Sequence, residues 1–429
     1  MQLHFGISAV KHVSGRPPMA GVATQRANCH RRLPAPIASR NTNLGYLREM
    51  TTERESDTLL ADFRCQVVDF IAESQASGIA CKAFGAIMPP ALHDEAKAWQ
   101  QHMFANGFAG VSWPTEYGGQ GYGPEYRLVW SEECARHEVS PYMNFQGFVL
   151  AGGAILKFGT EEQKQRYLRA TLAAEILWCQ LFSEPGSGSD LVSLSTKAES
   201  IGDEWIVTGQ KVWSSTAQLA DHGILMARTD PTNPGHGGIS FFLFDMHGPG
   251  VDVRPLKQMT GDHEFCEVFL DEAPVAKADL LGPLNGGWAV ATSVLGDERA
   301  EVGAAGIGLE QRTQRLLDTI GPDTDLVHRD RIMRTKVTAG ALRQLLDRSG
   351  GDPMLGPLVK LGNTEFSSER TRAQLDGLGA AATVLANEDV IEEFLYAPGM
   401  RVAGGTSEIQ RNLIGERLLG LPREPKPPR

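Results

Sequence analysis

Gln180-Leu181-Phe182-Ser183-Glu184-Pro185-Gly186-Ser187-Gly188-Ser189-Asp190 marks the point where one sequence pattern stops and another begins. Before it, from Leu59 to about Trp178, apolar residues recur at helical steps: Phe63, Val67, Phe70 and Ile71 are four, three and one apart on one face. Helices are expected over Arg127 to His137 and over Gly152 to Leu168, the latter split at Gly159-Thr160, with Thr160 and Gln163 as a capping box. After it, to about Asn285, the apolar residues come in short runs: Trp205-Ile206-Val207, Gly223 to Met226, Gly238 to Phe244, Val251-Asp252-Val253 and Val268-Phe269-Leu270. Turns rich in Gly, Pro and Asp separate them, so they read as strands. A hairpin is expected at Thr208-Gly209-Gln210. Long helices do not alternate with these strands, which argues against a doubly wound parallel sheet. From Gly287 the helical pattern returns over 287–319, 328–348, 355–377, 385–397 and 406–419. The last of these has Ser407 and Gln410 as a possible capping box and Gly420 and Pro422 as its stop.

The fold class is therefore α+β: an N-terminal helical domain (50–178), a central β domain (179–285) and a C-terminal helical bundle (286–424), with a short tail at 425–429. A chain of 429 residues exceeds one ordinary core, in keeping with several domains. Residues 1–49 form a basic lead: up to Arg48 it holds seven Lys or Arg and no acid, leaving 34 basic against 52 acidic residues beyond it. It lacks the apolar centre of a secretory signal. Two readings stay open, an Arg-rich transit peptide for the mitochondrial matrix or an extension upstream of a natural start at Met50 in a cytoplasmic protein. The net charge of −11 argues against sequence-independent nucleic-acid binding. No apolar run reaches the roughly 18 residues of a membrane span. Six scattered cysteines with no C-x-x-C fit a reducing compartment rather than a disulfide or zinc framework.

Four places could carry chemistry. In the opening segment two glycines let N–H groups approach a ligand and three serines offer hydroxyls; taken alone, it is also a plain Gly/Ser turn. It is neither a P-loop nor a dinucleotide fingerprint, since Gly-Lys-Ser/Thr and the third glycine are missing. In Gly209-Gln210-Lys211-Val212-Trp213-Ser214-Ser215 the indole could wall an aromatic cofactor or fill a core. Gly404-Gly405-Thr406-Ser407-Glu408-Ile409-Gln410-Arg411 leads into a helix start, where free N–H groups suit phosphate, or is a tight turn. Finally, Ala291, Leu295, Val302, Ala305 and Leu309 trace one helix face, and Glu298 completes it. A carboxylate in an apolar stripe is costly unless it is paired or functional; the alternative is a rim position. No His, Asp and Glu cluster has metal-ligand spacing.

Together, in this order and spacing over residues 55–424, these segments resemble the acyl-CoA dehydrogenase family, bacterial members ending in G-G-T-S-E-I-Q-R-N above all. The resemblance implies FAD packed between the β domain and the C-terminal helices, with help from a neighbouring subunit. Gln180, Phe182, Ser183, Gly188 and Ser189 would line it; Trp213, Ser214 and Ser215 would cover the ring and its reactive edge; Thr406 and Glu408 would sit by its phosphates or ribose. Ser189, Arg299 and Gly404 would face an acyl-CoA substrate. The implied reaction is α,β-dehydrogenation, a proton going to a carboxylate and a hydride to flavin N5, with electrons passed to an electron-transfer flavoprotein. The thioester oxygen would be held by the Gly404 N–H and a ribityl hydroxyl as the enolate forms. A base working near neutral pH needs a carboxylate raised by a dry site.

The sequence departs from the family pattern in two places. Many members carry the catalytic Glu where Gly404 stands here; a minority use a Glu just before Arg on the first C-terminal helix, which is Glu298. Glu298 is therefore the expected base. An R-x-x-F-G segment that touches the neighbour's FAD in many members is missing at 317–322, and the Gly-Gly loop is eroded to Gln374-Leu375-Asp376-Gly377-Leu378-Gly379. That puts a symmetric homotetramer in doubt and leaves a homo-oligomer or a hetero-oligomer with a sister subunit. A flavin oxidase or monooxygenase of the same fold, and a non-catalytic subunit of a heteromer, remain as rival functions. Gly404 and the small run Gly303-Ala304-Ala305-Gly306 leave room for bulky, branched or polycyclic acyl chains.

Overall fold

The computed structural model describes residues 47–85, 87–304, 307–318, 321, 324–349, 352, 354–383 and 388–423. The expectations for the basic lead before residue 47 and for the tail fall outside them, as do those for the side chains of Arg299, Val302 and residues 303–306. Met1–Thr52 make up one unit and Glu53–Arg429 another. Of the first, only the opening turns of α1 (Leu47–Ala76) are described.

The N-terminal helices are α1, α2 (His93–Ala105), α3 (Pro124–Arg136), α4 (Gly152–Phe158) and α5 (Glu161–Leu172). Phe63, Val67, Phe70 and Ile71 of α1 are buried in one cluster with Trp99, Met103 and Trp130. Their helical spacing is what puts them on one face. α3 starts three residues before Arg127 because Pro124 occupies its first turn, where a missing N–H costs nothing. The Thr160–Gln163 capping box forms as expected. A π-helical turn, Gln146–Ala151, runs into α4.

Seven strands follow: β1 (Trp178–Leu181), β2 (Lys197–Ile201), β3 (Glu204–Ser215), β4 (His222–Arg228), β5 (Ile239–Asp245), β6 (Val251–Leu256) and β7 (Phe265–Ala276). They make one sheet in the order β1-β4-β2-β3-β7-β6, with β5 paired to β4. β1 lies parallel to β4, and β5 antiparallel to it. β4 and β5 are apolar at nearly every position because both faces are covered. Ile224, Met226, Phe241 and Leu243 join a core shared with the helices, and Leu225, Ala227, Phe242 and Phe244 join the other face.

The expected hairpin is corrected here. Thr208-Gly209-Gln210 is not a hairpin but the middle of β3, where a bulge against β7 falls at Gly209. Gly209 is needed there because a Cβ would lie 2.3 Å from Thr196 Oγ1. The hairpin turn is one strand earlier, between β2 and β3, with Gly202 at φ +58°. β2 escaped notice because four of its five residues are exposed and it carries no apolar alternation.

Helices return as α6 (Gly287–Ala304), α7 (Ile307–Leu317), α8 (Leu326–Ser349), α9 (Gly356–Leu378), α10 (Glu388–Met400) and α11 (Ser407–Leu413). The helical expectation over 287–319 is met on both sides of residues 305–306, by α6 up to Ala304 and by α7 from Ile307. Val290, Ala291 and Val294 of α6 are fully buried against Phe241, Leu243 and Ile155. Burying a Val side chain contributes about 1.5–3 kcal/mol, enough to seat α6 firmly on the sheet. Among the described residues no helix is long and apolar enough to cross a membrane, and no group of His, Cys, Asp or Glu could hold a metal ion.

Candidate active site

Two clusters of the expected residues form. The first joins the loop after β1 to the end of β3. Phe182 turns inward, its ring edge-on to Phe241 at 5.6 Å, so its side chain is core and its neighbours carry the polar groups. Glu184 N donates to Ser187 O (2.9 Å) and Ser187 N returns a bond to Glu184 O (3.0 Å), closing the loop on itself. The loop is anchored from below by a buried ion pair. Lys211 Nζ, fully buried, donates to Glu184 Oε1 (2.8 Å) and to Phe182 O (3.0 Å). Glu184 also accepts from Ser195 N, Ser195 Oγ and Thr196 N at 2.7, 2.7 and 2.9 Å. Burial pushes the Glu184 carboxyl upward, but the Lys211 charge and these hydrogen bonds outweigh it and hold it below its ordinary value.

Val212 N donates to Ser183 O (2.9 Å), which brings the 180–190 segment beside the 209–215 segment. Between Lys211 and Ser214 the register against β7 slips, so β3 bulges at Val212 and Trp213. Trp213 sits at φ +61°, a conformation that costs a bulky side chain on the order of 1–3 kcal/mol. The result is an indole 60% exposed, standing edge-on to Phe265 at 5.9 Å. The alternative of a core Trp is thereby set aside. Ser214 points the other way, fully buried, its Oγ without a hydrogen-bond partner; Ser215 is buried as well. Gln180 is half-buried, Ser183 likewise, and Gly188 and Ser189 are exposed. A Cβ on Gly186 or Gly188 would meet nothing within 4 Å, so the loop's outer side is open.

The second cluster joins α6, α9 and the turn before α11. Glu298 follows Val290, Ala291 and Val294 on the buried row of α6 and is half-buried. Its carboxylate reaches the Gly404 turn: a Cβ on Gly404 would lie 3.1 Å from Glu298 Oε1 and 3.8 Å from Lys360 Cε. Gly404 and Gly405 have φ of +65° and +92°, so this turn is shaped for glycine in backbone as well as in space. The carbonyls of this turn are held from inside. Lys360 Nζ, on a side chain 1% exposed, donates to Gly405 O (2.7 Å); Gln410 Nε2 donates to Gly404 O (3.0 Å) and Gly405 O (3.1 Å).

The expected Ser407–Gln410 capping box is corrected. Thr406, in extended conformation, is the N-cap and accepts from Ile409 N (3.2 Å); Ser407 is already helical, and Gln410 reaches back to carbonyls instead of an N–H. Thr406 is half-buried, and Glu408 is exposed near Arg411 at 3.5 Å. Lys211, Lys360, Gln410 and Glu184 were not anticipated as site residues. Lys360 could have been: a lysine between Val359 and Leu361 in an apolar stretch is the same signal that singled out Glu298.

Models of the acyl-CoA dehydrogenase N-terminal, middle and C-terminal domains match residues 63–175, 179–273 and 330–419. The chain belongs to the acyl-CoA dehydrogenase family and is an FAD-dependent acyl-CoA dehydrogenase. It is 34% identical over 391 residues to acyl-CoA dehydrogenase IpdE1 of Mycolicibacterium smegmatis, covering 85% of this chain and 98% of that one. Among solved structures it is similar to the Tcur3481-Tcur3483 steroid ACAD, with a TM-score of 0.73, 25% identity and coverage of 86% and 98%. It is likewise similar to the ChsE4-ChsE5 complex from Mycobacterium tuberculosis, with a TM-score of 0.70, 26% identity and coverage of 86% and 98%. The residues present fit FAD. An exposed indole offers a flat wall, a buried Ser214 hydroxyl beside it has no partner, and the glycine loop is open on its outer side.

Proposed function

We propose that the enzyme catalyses α,β-dehydrogenation of a bulky, ring-bearing acyl-CoA thioester with Glu298 as the base, and that it hands its electrons to an electron-transfer flavoprotein. The observation that carries the assignment is the placing of Glu298 Oε1 3.1 Å from the point where a side chain on Gly404 would begin. Glu298 thus supplies a carboxylate from α6 to the spot that a Glu at position 404 would serve in many relatives. Bound FAD supplies the hydride acceptor. Trp213 and Ser183, tied together through the Val212–Ser183 hydrogen bond, would position its ring, with Ser214 and Ser215 beneath and Gln180, Gly188 and Ser189 along the loop. Thr406 and Glu408 would hold its phosphate or ribose end. The Gly404 N–H would steady the thioester oxygen as negative charge develops there, and Ser189 and Arg299 would face the acyl-CoA.

The missing side chain at Gly404 favours a wide acyl group, and one solved neighbour is described as a steroid ACAD. Another is a complex of two differently named chains, which supports assembly with a sister subunit. The test is anaerobic bleaching of the flavin by a panel of acyl-CoA thioesters from linear to polycyclic, in wild type and Glu298→Gln. Bleaching by the polycyclic thioesters, slowed by about 10²–10⁴-fold in Glu298→Gln with FAD content unchanged, is expected for a lost general base. Wild-type rates in the variant would remove Glu298 from the mechanism. Rapid reoxidation of the reduced enzyme by air would instead favour an oxidase.

A further inference from the structure

We propose that Lys360 is a positioning residue of this site: its ammonium fixes the Gly404–Gly405 turn and keeps Glu298 ionised and aimed at substrate. The proposal rests on the assignment of Glu298 as base.

Lys360 is 1% exposed, and a lysine so placed needs partners that replace water. One is the Gly405 carbonyl at 2.7 Å. The same side chain approaches Glu298: both reach the Cβ point of Gly404, at 3.8 Å for Lys360 Cε and 3.1 Å for Glu298 Oε1. A single buried cation therefore holds the turn that presents the Gly404 N–H and comes to the same point of that turn as the carboxylate expected to take the proton. Gln410 shares the first task, since it holds the Gly404 and Gly405 carbonyls, but being neutral it cannot share the second. Pulling both carbonyls inward leaves the opposite edge of the turn for the substrate. The ammonium also offsets what burial does to Glu298, because a nearby positive charge favours the ionised carboxylate.

Among the described residues, several charged groups on the elements around α6 have partners elsewhere. On α9, Glu365 accepts from Arg401 (3.0 Å) and Arg411 (3.2 Å). On α4, Lys157 Nζ donates to Ser293 Oγ (3.1 Å), nearer the start of α6. The His236 ring lies against Trp288 at 4.4 Å, and Asp245, at the end of β5, accepts from His247 N (2.9 Å). Among the described residues, Lys360 is a cation that both bonds the turn and reaches the point where the Glu298 carboxylate meets it.

The experiment compares holoenzyme forms of wild type, Lys360→Met, Lys360→Arg, Glu298→Gln and the Lys360→Met/Glu298→Gln double variant. Turnover is followed with whichever thioester of the panel bleaches the wild-type flavin fastest, and melting temperature is measured on each. Lys360→Met is expected to move the acid limb of kcat/KM upward by about 1–3 pH units, since the base loses its neighbouring positive charge. Lys360→Arg, which keeps the charge but not the point geometry, is expected to leave the limb within about 0.3 unit while lowering kcat. The melting-temperature loss in Lys360→Met is expected to shrink by at least about 2 °C when Glu298 is already Gln, because the two side chains no longer interact. An acid limb that stays in place in Lys360→Met, or additive melting losses, overturns the proposal. The Glu298 assignment fails separately, by full turnover in Glu298→Gln; the thermal coupling still decides whether the two side chains act on each other. If Lys360→Met does not accumulate, Lys360→Arg decides: a limb displaced by a full unit overturns the proposal, and an unmoved limb with a lowered kcat supports it.

Discussion

Lys211→Met removes a fully buried ammonium that holds Glu184 at 2.8 Å and the Phe182 carbonyl at 3.0 Å. The two side chains are 0% and 4% exposed, so water cannot take over for either. Removing one partner of such a pair costs about 3–5 kcal/mol, chiefly because the other charge stays buried and unpaired. Here Glu184 retains three donors, Ser195 N, Ser195 Oγ and Thr196 N, which places the expected cost near the lower end, about 3 kcal/mol. The double variant Lys211→Met/Glu184→Leu carries no stranded charge and is expected to recover much of that loss. Urea unfolding at neutral pH measures wild type, Lys211→Met, Glu184→Leu and the double variant, with bound FAD measured alongside because the pair anchors the loop at residues 183–190. Single-variant losses under about 1 kcal/mol, or a double variant as unstable as the sum of the singles, would refute the account of a buried pair holding the loop. The pair also predicts a pH effect. Since the folded carboxyl of Glu184 lies below its ordinary value of 4.5, its contribution is complete above that value and is lost as pH falls further into the acid range.

Glu264, 6% exposed, behaves oppositely: burial first, then Asp262 and Glu392, push its carboxyl up to about 7. Its ionisation therefore opposes the fold once pH passes from 4.5 through 7, and Glu264→Gln is expected to gain about 1–3 kcal/mol over wild type at pH 8 and little at pH 5. Equal effects at both pH values would show that the carboxyl is not held up. Trp213→Gly relieves the φ of +61° and removes a side chain 60% exposed, so apoprotein stability is expected to hold or rise. FAD affinity, titrated by flavin fluorescence, is expected to fall by at least about 3–10-fold if the indole stacks on the ring. Undiminished affinity would move the flavin away from β3.

Much of the architecture was legible in the chain. Helical and strand periods are set by which faces are covered, so Phe63 to Ile71 declared a helix and 238–244 declared a strand without reference to distant residues. Where burial does not write a period, reading failed: β2 is mostly exposed, and β3 is one strand because β7 pairs along its whole length across two bulges. Glu298 was legible as a polar break in an apolar row. Lys211 and Glu184 stood in view as letters, but their partnership joins positions 27 apart in sequence through the sheet.

By itself, the sequence determined the class of fold, the family signatures and the carboxylate that interrupts the apolar row of α6. These are local matters of period, composition and spacing. Only the tertiary structure decided that Trp213 faces outward on a bulge, that Thr406 caps α11, and that Glu298, Lys360 and the Gly404–Gly405 turn converge. The physical reason is that register, bulges and helix docking are chosen by burial shared between distant segments, and no single segment records that choice.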